Sequence, residues 1–179
     1  MSDTGFQSPI PERPLPPDDP GRSLTVADAN TGAGLRHLTL SGDVYTILVP
    51  GSATAGHYTL IDMRVPPGGG PPAHRHDFEE MFTITAGRIR FTFRGTDIEA
   101  GAGQTVNIPA NAPHYFRNAS EEPARMLCMC TPAGQDEYFL AVGLPVADPD
   151  NPPALTDAEQ DGILDRARRL APKYRTEFL

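Results

Sequence analysis

Apolar and polar positions alternate with period two through most of residues 35–132, a pattern that predicts strands rather than helices. Arg36–Leu40 and Val44–Val49 flank Ser41-Gly42-Asp43, a tight-turn signal. His57–Val65 is a longer β-rich run, followed by the loop Pro66-Pro67-Gly68-Gly69-Gly70-Pro71-Pro72. Met81–Thr85, Arg88–Arg94, Asp97–Glu99, Thr105–Ile108, His114–Arg117 and Arg125–Cys130 come next, each set off by Gly, Pro or Asn. Regular short strands without intervening helices predict an all-β fold, an antiparallel sandwich or barrel. Period 3.6 appears only afterwards. Pro132–Val142 gathers Tyr138, Phe139 and Val142 on one face. Thr156-Asp157-Ala158-Glu159 is a capping box ahead of Ile163, Leu164, Ala167, Leu170 and Ala171 at helical spacing. The chain divides into a proline-rich N-terminal arm (1–22), a β domain (23–145) and a C-terminal linker and helix (146–179).

Composition narrows the function classes. Twenty prolines and 17 glycines suit many turns, and Pro9, Pro11, Pro14, Pro16, Pro17 and Pro20 give the arm an extended character. A formal net charge of −8 argues against nucleic-acid and anionic-membrane partners, which need clustered Lys and Arg. No apolar run approaches the roughly 18 residues of a membrane span, and the first 25 residues show no apolar signal core. The only cysteines are Cys128 and Cys130. On one strand they point the same way about 7 Å apart, poor geometry for a disulfide. A reduced, cytoplasmic compartment is therefore expected. As a pair they read first as small hydrophobes of a core-facing strand. His37 and His57 read as structural.

Two histidine motifs carry the chemistry. The first is Gly68-x5-His74-x-His76-x3-Glu80-x6-Gly87; the second is Gly103-x5-Pro109-x4-His114-x3-Asn118. On an unbroken strand His74, His76 and Glu80 share one face, with Asp77 and Glu79 on the other. Phe82 and Ile84 continue the face of Glu80, so this carboxylate enters an apolar interior and wants a cation or a proton. His114, Phe116 and Asn118 share a face in the same way. Three imidazoles and one carboxylate suit a divalent transition metal: Fe, Ni, Mn, Co, Cu and Zn are all accommodated.

The two motifs resemble those of the cupin superfamily, small β-barrels of the jelly-roll type, and the likeness covers roughly residues 35–132. Asn111 stands where that pattern usually has Gly, and Asn is the next-best residue for a left-handed backbone. The resemblance implies an all-β jelly-roll β-barrel with an extended N-terminal arm and C-terminal helices. It makes His74, His76, Glu80 and His114 the metal ligands. The run Pro66–His76, the segment from Pro132 to Phe139 and the C-terminal helix resemble bacterial single-domain cupins related to quercetin 2,3-dioxygenase. That likeness implies a metal-dependent dioxygenase acting on a small hydroxylated aromatic, with Glu80 as general base. Phe82, Ile84, Phe91, Phe93 and Phe116 are then candidates for the wall of the substrate pocket. A metal-dependent isomerase or lyase, or a ligand-binding protein without turnover, are the alternatives. A small-molecule substrate and a homodimer paired through sheet edges are the expected partners.

Overall fold

The computed structural model describes residues 13–40 and 42–179. The start of the arm, with Pro9 and Pro11, and Ser41 of the first turn lie outside the described residues. The strands are β1 (Arg36–Leu40), β2 (Asp43–Val49), β3 (Thr59–Val65), β4 (His74–His76), β5 (Glu79–Ala86) and β6 (Arg88–Phe93). They continue as β7 (Thr96–Gly101), β8 (Thr105–Ile108), β9 (His114–Arg117) and β10 (Ala124–Thr131). Helix α1 (Gln135–Val142), β11 (Leu144–Pro145), helix α2 (Asp157–Leu170) and β12 (Thr176–Phe178) complete the chain.

All pairings are antiparallel and fall into two sheets, in the orders β11-β1-β2-β3-β10-β5-β8 and β12-β4-β9-β6-β7. The architecture is a jelly roll, as expected. Its two hydrogen-bonded ladders remain separate among the described residues, so it is a two-sheet sandwich and not a closed ring of strands. Ile61, Met63, Phe82, Ile84, Ile89, Phe91, Phe116 and Met126 fill the space between the sheets. Each contributes about 1.5–3 kcal/mol by leaving water. Phe82 packs on Phe91 and Phe116 at centroid distances of 5.3 and 5.6 Å.

One sequence expectation fails in an instructive way. His74, His76 and Glu80 do not lie on one strand. The chain leaves the second sheet after His76 and enters the first at Glu79, crossing through Asp77 and Phe78. Strand parity still holds from Glu80 onward, because Glu80, Phe82 and Ile84 alternate inward along β5.

The C-terminal segment is more than a linker and a helix. The capping box at Thr156 and Glu159 forms, and α2 buries Ile163 and Ala167. The Tyr138 hydroxyl donates to the Ala167 carbonyl (2.9 Å), tying α1 to α2. The chain then returns as β12, which pairs with the histidine strand: Thr176 opposite His76, and Phe178 opposite His74. No helix among the described residues is long and apolar enough to cross a membrane.

Candidate metal centre and its pocket

Three elements from both sheets bring the donors together. β4 carries His74 and His76, and β9 pairs with it so that His114 stands opposite His74. β5 reaches across from the other sheet with Glu80. One nitrogen from each imidazole and one Glu80 oxygen all lie within 4.8 Å of one another. Glu80 Oε2 is 3.1 Å from His76 Nε2 and 3.2 Å from His114 Nε2. His76, Glu80 and His114 are buried, and His74 is half-buried at the mouth. The turn before β9 depends on Asn111, which adopts a left-handed φ of 69°, as its place in the motif requires.

Backbone carbonyls set the orientation of every ring. His74 Nδ1 lies 2.9 Å from the Pro72 carbonyl, His76 Nδ1 2.9 Å from that of Phe78, and His114 Nδ1 2.8 Å from that of Ala112. A carbonyl only accepts, so each Nδ1 carries the hydrogen and each neutral ring presents its Nε2 lone pair to the cluster. Two lone-pair nitrogens facing a carboxylate oxygen repel one another unless a cation lies between them. Donors about 2.1 Å from one metal sit ~3.0 Å apart at right angles and ~3.4 Å apart in a tetrahedron, and the spacings of Glu80 Oε2 from His76 and His114 fall in that interval. The donor set therefore fits a divalent metal ion.

Electrostatics divide the rings: His74 favours the neutral, ligating form, whereas Glu80 draws His114 toward its charged form. Burial by itself would push the Glu80 carboxyl up, but the hydrogen bonds and charges of His114 and His76 hold it well below the ordinary carboxylate range. Burial and the neighbouring His114 lower His74 to about 4, which favours the neutral, ligating form. Burial opposes the charged form of His114, yet its bond to Glu80 raises it.

The second oxygen of Glu80 faces two thiols. Cys128 Sγ lies 3.3 Å from Oε1, Cys130 Sγ 3.8 Å from it, and the two sulfurs are 3.6 Å apart. Both cysteines are free and buried. The hydrogen bond it shares with Cys130, then burial, pushes the Cys128 thiol well up, so it stays protonated. Sequence reasoning placed this pair in the core and missed the contact. Its signal is the ladder register, Cys130 opposite Glu80 and Cys128 opposite Phe82, which exists only once β10 and β5 are paired.

A cavity opens from His74 and Glu80. Its walls are Met63, Phe82 and Phe116 from the sheets, Tyr138 and Phe139 from α1, Ile163, Leu164 and Ala167 from α2, and Phe178 from β12. Of the five expected wall residues, Phe82 and Phe116 line it. Ile84 and Phe91 do not: both are buried among the core side chains, with Ile84 further along the inward face of β5 than Phe82. Phe93 packs partly buried against that core and also stays off the wall. The helices supply residues that the strand pattern gave no reason to include.

Residues 61–130 match the family described as Cupin domain. Polyketide synthase CurC of Streptomyces cyaneus is 35% identical over 94 residues, covering 51% of this chain and 60% of that protein. Quercetin 2,3-dioxygenase of Bacillus subtilis is 25% identical over 128 residues, covering 71% of this chain and 37% of that protein. The match thus spans less than two thirds of either relative. Among solved structures, a predicted oxalate decarboxylase from Thermotoga maritima aligns over 60% of this chain and 98% of its own, at 19% identity and a TM-score of 0.51. An RmlC-like cupin from Shewanella frigidimarina aligns over 59% and 91%, at 14% identity and a TM-score of 0.51. At these identities the structures speak for the fold alone.

Proposed function

Because residues 61–130 match the Cupin domain family, we propose that the chain is a metal-dependent enzyme that oxygenates a small, hydroxylated aromatic molecule. One observation carries the reading: four convergent donors, His74, His76, Glu80 and His114, open into a cavity walled mainly by apolar and aromatic side chains. A divalent metal in this cluster would supply Lewis acidity toward a substrate hydroxyl and a place for dioxygen. The chain's own residues do the rest. Pro72, Phe78 and Ala112 hold the three rings by their carbonyls. Phe82, Phe116, Phe139 and Ile163 exclude water and favour a flat, apolar body. Glu80 would hold the metal through Oε2 and, released from it, would accept the hydroxyl proton there, while the Cys128 thiol engages Oε1.

The test combines elemental analysis of protein purified without added metal with an oxygen-uptake screen of polyphenols, catechols and diketones. Stoichiometric metal and substrate-dependent oxygen consumption are expected. Turnover unchanged under anaerobic conditions would remove the oxygenase reading.

A second reading has its own support. The identity to the protein named polyketide synthase CurC exceeds that to the dioxygenase. Under it, the same centre polarises a poly-oxygenated, polyketide-type substrate without consuming dioxygen. Product formation in an anaerobic chamber separates the two.

A further inference from the structure

Glu80 turns a second oxygen away from the histidines, toward sulfur. Its Oε1 meets Cys128 Sγ at 3.3 Å and Cys130 Sγ at 3.8 Å, and the two sulfurs lie 3.6 Å apart. Two strands build this triangle. Alternation along β10 turns both cysteines to one face, and the β10–β5 register sets Cys130 opposite Glu80. Parallel side chains two residues apart would keep the sulfurs ~7 Å from one another; here they lean together.

The distances decide what the triangle can hold. A tetrahedral ion with sulfur at ~2.3 Å and oxygen at ~2.0 Å sets its donors ~3.8 Å apart for S···S and ~3.5 Å apart for S···O. The sulfur pair comes close to the first value, and the two S···O distances straddle the second. Cys128 and Cys130 are 0% exposed and Glu80 is 4% exposed. Glu80 acts on both thiols and Asp136 on Cys130, and both of these charges are negative. Asp136 is itself buried, with Oδ1 lacking a hydrogen-bond partner among the described residues. A buried region of this sign favours a cation. Closure against water is the ordinary condition of a structural metal site, which takes its ion as the chain folds.

We propose that Cys128, Cys130 and Glu80 Oε1 form a second metal site, for a thiophilic ion such as zinc or copper(I), sharing Glu80 with the histidine centre at one oxygen each. Sulfur donors set its selectivity apart from that of the imidazoles. Two thiol protons leave as the ion enters, so the site fills where such an ion is in supply. In protein purified without added metal, the histidines hold most of what is bound. The inference is independent of the oxygenase reading. The rival is a thiol pair that only donates hydrogen bonds to Glu80.

Cadmium is the probe, because its bond to thiolate gives an ultraviolet charge-transfer band that imidazole and carboxylate ligands do not give. The protein is expressed in cadmium-supplemented medium, so that the ion meets the thiols before the sandwich closes. It is then desalted under reducing conditions and read by absorbance and elemental analysis. Wild type is expected to show the band. Cys130→Ala should carry one cadmium ion fewer per chain and lose more than half of the band, whereas His114→Ala should keep it. Should Cys130→Ala fail to fold, Cys130→Ser, closer in shape, should lose the band in the same way. No band in wild type, or half or more of it surviving in a folded Cys130 variant, overturns the site. Loss of the band in His114→Ala also overturns it, by giving the sulfurs to the histidine centre. Oxygen uptake plays no part, so either outcome leaves the oxygenase reading to its own test.

Discussion

The Cys128 thiol sits 3.3 Å from Oε1 of Glu80, while Oε2 of the same carboxylate faces His76 and His114. The two oxygens thus differ: one is held by a neutral donor, and the other would be free for a cation. Cys128→Val, close in size but without a donor, should weaken metal binding by about tenfold, the lower range for losing a group that orients a ligand. Cys128→Ser should retain more of it. Competition titration against a chromophoric chelator measures both.

The ligand set itself makes a sharper forecast. His74→Ala or His114→Ala should remove most of the metal from purified protein, by elemental analysis. Glu80→Gln keeps the shape and deletes the charge. It should reduce metal content less than the histidine changes and turnover more, if the proton passes to Oε2.

Metal should also stabilise the fold. Saturation at about 100 times the dissociation constant adds ~2.7 kcal/mol. In a domain of this size that raises the melting temperature by roughly 5–10 °C. Chelation should reverse the rise in a thermal melt, and a melt indifferent to chelator would count against an occupied centre.

Asp43 gives the pH dependence its sign. Burial pushes its carboxyl up to about 7, and the Tyr45 hydroxyl, the Gly70 amide and the Arg117 charge pull it back only in part. The folded state therefore holds this proton more tightly than the unfolded chain. The associated stability is complete below pH ~4 and is lost as pH rises through about 7, by an amount on the order of 4 kcal/mol for a shift of ~3 units. Asp43→Asn should flatten the slope between pH 4 and 8 in chemical denaturation. An equal slope in both proteins would place the titration elsewhere.

Much of the site was legible because histidine spacing and strand alternation are local properties. His74, His76 and His114 were readable from their motifs, and Glu80 was preferred over Glu79 by parity. The premise for that choice was an unbroken strand, yet the chain changes sheets at Asp77 and Phe78, and Glu80 faces inward because β5 starts its own alternation. What stayed hidden was non-local. The contact of Cys130 with Glu80 needs the β10–β5 register, and Asp43 looked like a turn residue until the Gly69–Gly70 loop closed over it. Ile84, Phe91 and Phe93 share the aromatic and aliphatic character of Phe82 and Phe116, and composition cannot say which inward side chains face a void and which face one another. The lining from α1 and α2 depends on how the helices dock, for which the strand pattern carries no information.

β4 is three residues long, yet it is flanked on both sides, by β9 and by β12. Arg75 also bonds Glu177 at 2.6 Å, and the Leu179 amide reaches the Ala73 carbonyl at 2.9 Å. Anything that tugs on residues 176–179, such as an affinity tag fused behind Leu179, therefore pulls directly on the imidazoles. Preparations tagged on that side should be compared with cleaved ones before a low metal content is blamed on the protein.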